Sequence, residues 1–145
     1  MKPIRCACLV AVQDEKLLLV RVRGNMHWYL PGGKIEPEEQ PEVALQRELL
    51  EELGIHADPT TVRYLYTVQG PAYGEPGEVE LLCFEAQWSG HPQPQGEVRE
   101  VEWIDVQELI RFAPAVQILC IDHLRNDQAS RTDALPPQTV AASCS

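Results

Sequence analysis

Residues 41–53 constrain the fold most, because both ends of a helix are marked in the sequence. Pro41 suits the first turn of a helix, and Gly54 suits the left-handed residue that follows the last turn. Between these ends, apolar residues recur at helical spacing and form an expected packing face: Val43, Leu45, Leu49, Leu50 and Leu53. The segment therefore predicts an amphipathic helix with one apolar face.

The same helix carries three acids near its C-terminal end. Glu48, Glu51 and Glu52 fall within one arc, opposite the expected packing face. The helix macrodipole and the repulsion between like charges at i,i+3 and i,i+4 both disfavour this placement. A solvated charged face is the simpler interpretation. The alternative is a site for divalent cations, which would relieve the repulsion.

The segment before the helix favours the metal interpretation. Residues 31–39, PGGKIEPEE, are rich in Pro and Gly and predict a loop. Mg²⁺ binds oxygen ligands and usually takes few of them from the protein, leaving the rest to water and phosphate. Three clustered carboxylates and a backbone carbonyl from the Gly-rich turn would meet that requirement.

Strand-forming segments surround the helix. Runs of apolar and β-branched residues predict strands at 4–12, 17–22, 62–69, 78–88 and 98–104. A short helix capped by Asp105 is predicted at 106–111, and an amphipathic helix at 114–125. From Asn126 onward the chain is polar and has no clear period. We therefore expect one domain, residues 1–126, followed by a polar C-terminal tail, residues 127–145.

The charge balance limits the classes of partner. The formal net charge is −10, from 12 basic and 22 acidic residues. This balance argues against a nucleic acid polymer or an anionic membrane, because both favour a basic surface. A small anionic substrate is compatible if metal ions offset the local field. With no membrane-length apolar run, no signal peptide and no zinc-type cysteine spacing, we expect a cytoplasmic protein.

The loop and the helix together resemble the Nudix family. Gly33, five residues, Glu39, seven residues and then RELLEELGI at 47–55 match every fixed position of the Nudix box, G-x5-E-x7-R-E-U-x-E-E-x-G-U, where U is a bulky aliphatic residue. The preceding WYLPGG is similar to the segment that introduces the box in many members. The resemblance implies an α/β/α sandwich around a central mixed β-sheet, with helix 41–53 on one face and the C-terminal helix on the other.

The resemblance also implies a hydrolase that cleaves a pyrophosphate in a nucleoside diphosphate derivative with Mg²⁺ or Mn²⁺. Carried over position by position, Arg47 would orient the acids. Glu39 would be a secondary ligand or would position water. The implied metal ligands are three carboxylates and one backbone carbonyl: Glu48, Glu51, Glu52 and Gly32.

A further acid outside the box would complete such a site as a ligand or a base. Residues 96–103, GEVREVEW, offer three candidates. Glu97 precedes the predicted strand and lies in the loop best able to approach the metal. Glu100 and Glu102 alternate with apolar residues, so a solvent-facing position is the simpler interpretation for them.

Candidate substrate-binding residues flank the box. Arg21 and Arg23 share one face of a predicted strand and could hold phosphate, although ordinary exposed arginines are equally consistent. Trp28 and Tyr73 could stack on a base, but Trp28 could equally belong to the core. Lys34, which lies inside the box, is the remaining candidate for substrate binding.

Within the family, the compact domain favours hydrolysis of a nucleoside triphosphate, oxidised or not, to the monophosphate and pyrophosphate. Pro71 and Tyr73 resemble weak markers for ADP-ribose and dinucleoside polyphosphate hydrolases respectively, so together they discriminate little. A Nudix-fold nucleotide sensor without hydrolysis is the alternative from another class, although such domains usually lose box acids. The sequence is compatible with a homodimer as well as with a monomer.

Overall fold

A computed structural model describes residues 2–125 of the chain. The strands are β1 (Ile4–Leu9), β2 (Val12–Gln13), β3 (Lys16–Val22), β4 (Gly32–Lys34), β5 (His56–Ala57), β6 (Arg63–Pro71), β7 (Glu78–Glu85), β8 (Trp88–Ser89) and β9 (Val98–Asp105). The α-helices are α1 (Pro41–Leu53) and α2 (Pro114–Leu119). Short 3₁₀ turns occur at Pro59–Thr61 and Leu109–Arg111, and a π-helical turn at Cys120–Arg125 follows α2.

Two sheets form the middle of the molecule. The larger sheet is mixed and has the order β4-β1-β7-β6, in which β1 and β7 are parallel and the other pairs are antiparallel. The second sheet is antiparallel, with the order β2-β3-β9. The N–H of Leu18 donates to the carbonyl of Ala11 across 3.0 Å, which connects β3 to the segment that follows β1.

Alternate residues of β1 face two separate cores. Ala7 and Leu9 pack in the same core as the buried face of α1, and Cys8 and Val10 pack in the core that includes α2. Successive strand residues point to opposite faces, so β1 is covered on both sides. The predicted α/β/α sandwich is confirmed, with its strands divided between two principal sheets.

The prediction of a loop over residues 31–39 is wrong for three of its residues. Gly32–Lys34 form β4, which pairs antiparallel with β1 and places Gly32 opposite Cys8. A Cβ on Gly32 would overlap the carbonyl oxygen of Ala7, and Gly32 has φ 139°. Glycine has low intrinsic strand preference, so this strand depends on a long-range pairing that no local pattern indicates.

The two other predicted helices also differ from the structure. The predicted helix 114–125 is α-helical only through Leu119. The short helix predicted at 106–111 is reduced to the 3₁₀ turn, although Asp105 does accept a hydrogen bond from the N–H of Gln107 at 2.9 Å. Both differences lie outside the segment that carries the box.

The predicted boundary between the domain and its tail lies outside the described residues, so it stays a prediction. From residue 2 to residue 125, no helix combines the length and apolarity that crossing a bilayer requires. Four cysteines of that range form no disulfide with one another: Cys6, Cys8, Cys83 and Cys120.

Candidate active site

Helix α1 begins and ends as its sequence indicates. Pro41 occupies the first turn, and Gly54 adopts φ 68° and ψ 22°, from which its N–H donates to the carbonyl of Leu50 at 3.0 Å. The loop before β9 supplies two more donors: the N–H groups of Gln93 and Gln95 bond to the carbonyls of Leu53 and Glu52, at 3.0 and 2.9 Å. The last carbonyls of a helix have no partner within it, so these bonds fix the end that carries the acids.

The packed face of α1 differs from the expected one. Val43 and Leu50 are 52% and 45% exposed, so their assignment to the packed face was wrong. The buried residues are Ala44, Leu45, Leu49 and Leu53. At 100° per residue, Glu48 and Glu52 fall between Ala44 and Leu45, inside the packed arc. These two acids therefore face the sheet, and they do not lie on an opposite, solvated surface.

Glu52 is directed at the backbone of β4. Its Oε1 accepts a hydrogen bond from the N–H of Gly32 at 3.1 Å. No basic side chain among residues 2–125 forms an ion pair with it. A partly buried carboxylate with one neutral donor is incompletely compensated, and a bound cation would supply the missing positive charge.

Glu48 occupies space that Gly33, the second glycine of β4, leaves free. A Cβ on Gly33 would lie 2.5 and 2.8 Å from the two carboxylate oxygens of Glu48. Any larger residue at position 33 would therefore displace the Glu48 side chain. The need for glycine at this box position is explained by the close approach of α1 to β4.

Arg47 links the box loop to the helix. Its Nε and Nη2 donate to the two carboxylate oxygens of Glu39, at 2.9 and 3.0 Å, and its Nη1 donates to Glu48 at 2.8 Å. Nη2 also donates to the carbonyl of Lys34 at 3.1 Å. The i+4 ion pair with Glu51 is longer, at 3.9 Å, and Glu51 is 61% exposed. Arg47 thus orients Glu39 and Glu48 far more directly than Glu51.

The carboxylates of Glu48, Glu51 and Glu52 do not form a complete metal coordination sphere among the described residues. No group of three or more His, Cys, Asp or Glu side chains among residues 2–125 is arranged to hold a metal ion as the side chains stand. Glu48 is held by Arg47, Glu52 by Gly32, and Glu51 extends into solvent. The donor types still fit a hard divalent cation, because carboxylate oxygens are its preferred protein ligands.

Burial sets the electrostatics of the two inward-facing acids. Burial raises the pKa of Glu52 to about 8, and Glu48, Glu51 and Glu97 add to that rise while the hydrogen bond from Gly32 opposes it. Burial also raises the pKa of Glu48, against the effect of Arg47. The hydrogen bonds from Arg47 lower the pKa of Glu39. Glu52 is therefore the least stable of these acids in its charged form.

Glu97 lies in the loop that contacts the end of α1. Its neighbour Gly96 approaches the backbone of Glu51, where an added Cβ would lie 3.3 Å from the carbonyl oxygen. Glu97 is itself exposed, and its charge contributes to the raised pKa of Glu52. The loop thus brings this acid near the box acids, whereas Glu100 and Glu102 pair with Arg21 and Arg111.

Trp28 belongs to a core and is flanked by two cations. Its side chain is 5% exposed, with the guanidinium carbons of Arg21 and Arg111 at 5.3 and 5.5 Å from the ring centroid. Arg21 also donates to Glu100 from Nε at 2.6 Å. The core interpretation of Trp28 is therefore favoured, and both Arg21 and Trp28 are engaged within the protein.

Three other candidates are more accessible. The hydroxyl of Tyr73 bonds to the backbone N–H and the Nδ1 of His27, at 3.2 and 3.0 Å, so it is tied to the segment before Trp28. Lys34 and Arg23 are exposed. Sequence reasoning did not single out Arg99, an exposed residue beside Arg23, or the capping role of residues 93–95. Both depend on contacts between distant segments, and no local signal marks them.

Comparison with known proteins finds a matching domain family and similar sequences. The NUDIX domain family matches residues 1–119. A MutT-like protein of Streptomyces ambofaciens is 32% identical over 125 residues, which cover 83% of this chain and 76% of that protein. The human 8-oxo-dGDP phosphatase NUDT18 is 43% identical over 58 residues, which cover 39% of this chain and only 18% of that protein.

Solved structures show the same fold. The solution structure of the E. coli ORF135 protein has a TM-score of 0.69 at 32% identity, and the match covers 90% of this chain and 94% of that one. The crystal structure of a MutT NUDIX hydrolase from Burkholderia pseudomallei has a TM-score of 0.71 at 24% identity, covering 85% of this chain and 99% of that one. The architecture described above is thus shared with both.

Proposed function

The chain belongs to the NUDIX domain family of pyrophosphohydrolases, and we propose that it hydrolyses a nucleoside triphosphate, oxidised or not, to the monophosphate and pyrophosphate with Mg²⁺ or Mn²⁺. One water molecule is consumed for each P–O–P bridge broken. We propose a small nucleotide as the binding partner, and we propose no binding to a nucleic acid polymer or a membrane. Whether the chain forms a homodimer is a question for sedimentation.

The approach of Glu48 and Glu52 to the Gly32–Gly33 backbone is the observation that carries this proposal. Glu52 is partly buried and has no basic partner among residues 2–125, and Glu48 fills the space beside Gly33. Such an arrangement is unfavourable in isolation, because burying charged groups without compensation costs free energy. It is consistent with a bound divalent cation, which would supply the missing positive charge.

Divalent cations held by Glu48, Glu51, Glu52 and the carbonyl of Gly32 would neutralise phosphoryl oxygens and favour attack by water. The residues of the chain have separate tasks. Arg47 holds Glu48 and Glu39 through a planar guanidinium, which fixes both carboxylates. Glu39 is our candidate for positioning water, and Glu97 for accepting its proton or adding a ligand.

Substrate contacts are assigned by accessibility. Arg23 and Lys34 are proposed to contact phosphate, and Tyr73 to contact the base. Arg21 and Trp28 are proposed to act indirectly, since Arg21 lies over the Trp28 ring and pairs with Glu100. These five residues would form the substrate side of the site.

The proposed substrate class is supported by one relative. The protein from Streptomyces ambofaciens, whose match covers 83% of this chain, is MutT-like. ADP-ribose and dinucleoside polyphosphates remain the alternatives, because Pro71 and Tyr73 resemble markers of both. A non-catalytic sensor is the alternative from another class. The complete set of box acids argues against it.

Product analysis over a substrate panel tests the proposal. Purified protein with Mg²⁺ is incubated with dNTPs, oxidised dNTPs, ADP-ribose and a diadenosine polyphosphate, and the products are separated by ion exchange. Nucleoside monophosphate with pyrophosphate supports the proposal. Turnover confined to ADP-ribose or dinucleotides would contradict the proposed substrate class and assign one of the alternatives. Nucleotide binding without turnover would favour the non-catalytic sensor.

Glu42→Gln is the matched control for the acid variants in this assay. Glu42 lies in the first turn of α1 and is exposed, so the substitution removes one charge from the same helix far from the box acids. Glu48→Gln and Glu52→Gln should abolish turnover, and Glu42→Gln should retain it.

A further inference from the structure

A cavity of about 310 Å³ lies where β3 ends and β9 begins. It is formed by the turn after β3 and the first residues of β9: Arg21, Val22, Arg23, Gly24, Asn25, Arg99 and Glu100. Three of these seven residues are arginines and one is acidic. A basic lining is unusual in a chain with a formal net charge of −10.

The arginines of this cavity are not equivalent. Arg21 is neutralised by Glu100 and lies over Trp28. Arg23 and Arg99 are exposed, and neither side chain forms a hydrogen bond or an ion pair with any other residue from 2 to 125. Two of the arginines that line the cavity, Arg23 and Arg99, therefore have no acidic partner among residues 2–125.

A strand irregularity brings Arg99 into the cavity lining. In the β3–β9 ladder, Arg21 is opposite Glu100 but Val22 is opposite Val98, so Arg99 is the extra residue of a bulge. A bulge redirects a side chain away from the regular alternation. The facing turn is fixed by the N–H of Asn25, which donates to the carbonyl of Val22 at 3.0 Å.

The cavity lies beside the loop that carries Glu97. The N–H of Arg23 donates to the carbonyl of Glu97 at 3.4 Å. The same loop bonds to the backbone of Glu52 through the N–H of Gln95. The basic cavity and the acids of α1 are therefore connected by one short segment, residues 95–97.

We propose that Arg23 and Arg99 bind the terminal phosphates of the substrate and that Arg99 makes the enzyme prefer nucleoside triphosphates to diphosphates. The inference rests on the proposed function and deepens it. A guanidinium offers several N–H donors in a planar fork that matches phosphate oxygens, so two of them suit a polyphosphate chain. A diphosphate is one phosphoryl group shorter and lacks the group that Arg99 would contact.

Binding of inorganic triphosphate without metal tests the site separately from catalysis. Wild-type protein and Arg99→Gln are titrated calorimetrically with inorganic triphosphate in buffer freed of divalent cations by a chelating resin. Arg63→Gln is the matched control, because Arg63 is an exposed strand arginine on β6 whose partner is Glu85. We expect Arg99→Gln to weaken binding roughly tenfold, since hydrogen bonds to charged groups are the strong ones, while the control stays within about twofold.

The second measurement compares KM for the triphosphate and the diphosphate of one nucleoside, with Mg²⁺. Arg99→Gln should raise KM for the triphosphate roughly tenfold, leave KM for the diphosphate within about twofold and leave kcat nearly unchanged. Equal effects on both substrates, an unaltered triphosphate affinity or non-competitive inhibition by inorganic triphosphate would overturn the inference. Wild-type protein that binds inorganic triphosphate through Arg99 but hydrolyses no nucleotide would refute only the proposed function.

Discussion

The backbone N–H of Gly32 donates a hydrogen bond to Oε1 of Glu52 across 3.1 Å, and this bond joins an edge strand to the last turn of α1. It holds a partly buried carboxylate beside Gly32 and Gly33, the two glycines of β4. One neutral donor compensates a buried charge only in part. The charged form of Glu52 is therefore destabilised when no cation is bound.

Glu52→Gln should remove most of the activity and preserve the fold. The amide keeps the volume and can still accept the bond from Gly32, but it supplies no negative charge for a cation. We expect kcat to fall at least about 100-fold, as losses of charged active-site groups do. Steady-state kinetics with circular dichroism checks this, and a folded variant with wild-type kcat would contradict the assignment.

The metal-free protein should become less stable as pH rises. Burial raises the pKa of Glu52 to about 8 from an ordinary value of 4.5, so the folded state binds this proton more tightly than the unfolded state. The stabilisation is fully present below about pH 4.5 and is lost as pH rises towards 8. Thermal melts in chelator across pH 5–9 measure the resulting decline.

The variant Glu52→Gln isolates this contribution. At pH 8 it should melt several degrees above the wild type without metal, since about 1 kcal/mol corresponds to roughly 2 to 8 °C for domains of this size. At pH 5 the two proteins should melt closely together. Parallel curves for wild type and variant across the whole range would show that Glu52 does not carry the effect.

Two adjacent glycines should respond differently to alanine. In Gly33→Ala the three atoms nearest to the added Cβ all belong to the end of the Glu48 side chain, which can move, so the fold should survive while kcat falls about tenfold or more. In Gly32→Ala the Cβ overlaps the backbone of β1 and φ is 139°, so the fold itself should be destabilised. Melting temperature and kcat, measured on both, distinguish these outcomes; a stable Gly33→Ala with full activity would refute the role given to Glu48.

Arg47→Lys should restore little of the activity that Arg47→Ala loses. The guanidinium makes four hydrogen bonds to Glu39, Glu48 and the Lys34 carbonyl, and one ammonium cannot reproduce that planar arrangement. We expect kcat to fall about 10- to 100-fold in both variants, with KM within about threefold. Unchanged kcat with a raised KM would instead place Arg47 on the substrate.

Residues 127–145 should be dispensable for chemistry. Their apolar residues are small and scattered, and the NUDIX match ends at residue 119. A chain ending at Gln128 should fold and keep kcat within a few-fold. Loss of activity, or dissociation of an oligomer seen by sedimentation, would assign the segment to a lid or an interface and move the domain boundary.

The sequence predicted α1 accurately because local chemistry marks its ends. Pro41 and Gly54 fix its limits, and the box identifies its acids. Its orientation was predicted wrongly, because apolar residues occur on more than one side. Packing of the helix against the strands buries Ala44 and leaves Leu50 exposed, and no local pattern in the sequence specifies that packing.

Features that depend on distant segments were not predictable in the same way. Gly32–Lys34 becomes a strand only by pairing with β1, and its glycines carry no strand preference. The donors at Gln93 and Gln95 lie about forty residues beyond the helix that they cap. The bulge that brings Arg99 beside Arg23 follows from the register of β3 and β9, which no local pattern encodes.

Direct measurement of Mn²⁺ binding tests the central claim that the acids of α1 hold a divalent cation. Free Mn²⁺ is followed by electron paramagnetic resonance during titration of wild type, Glu48→Gln, Glu52→Gln and the control Glu42→Gln. The account predicts saturable binding that weakens about 10- to 100-fold in the first two variants and is unchanged in Glu42→Gln. Mn²⁺ affinity that is equal in all four folded proteins would contradict it.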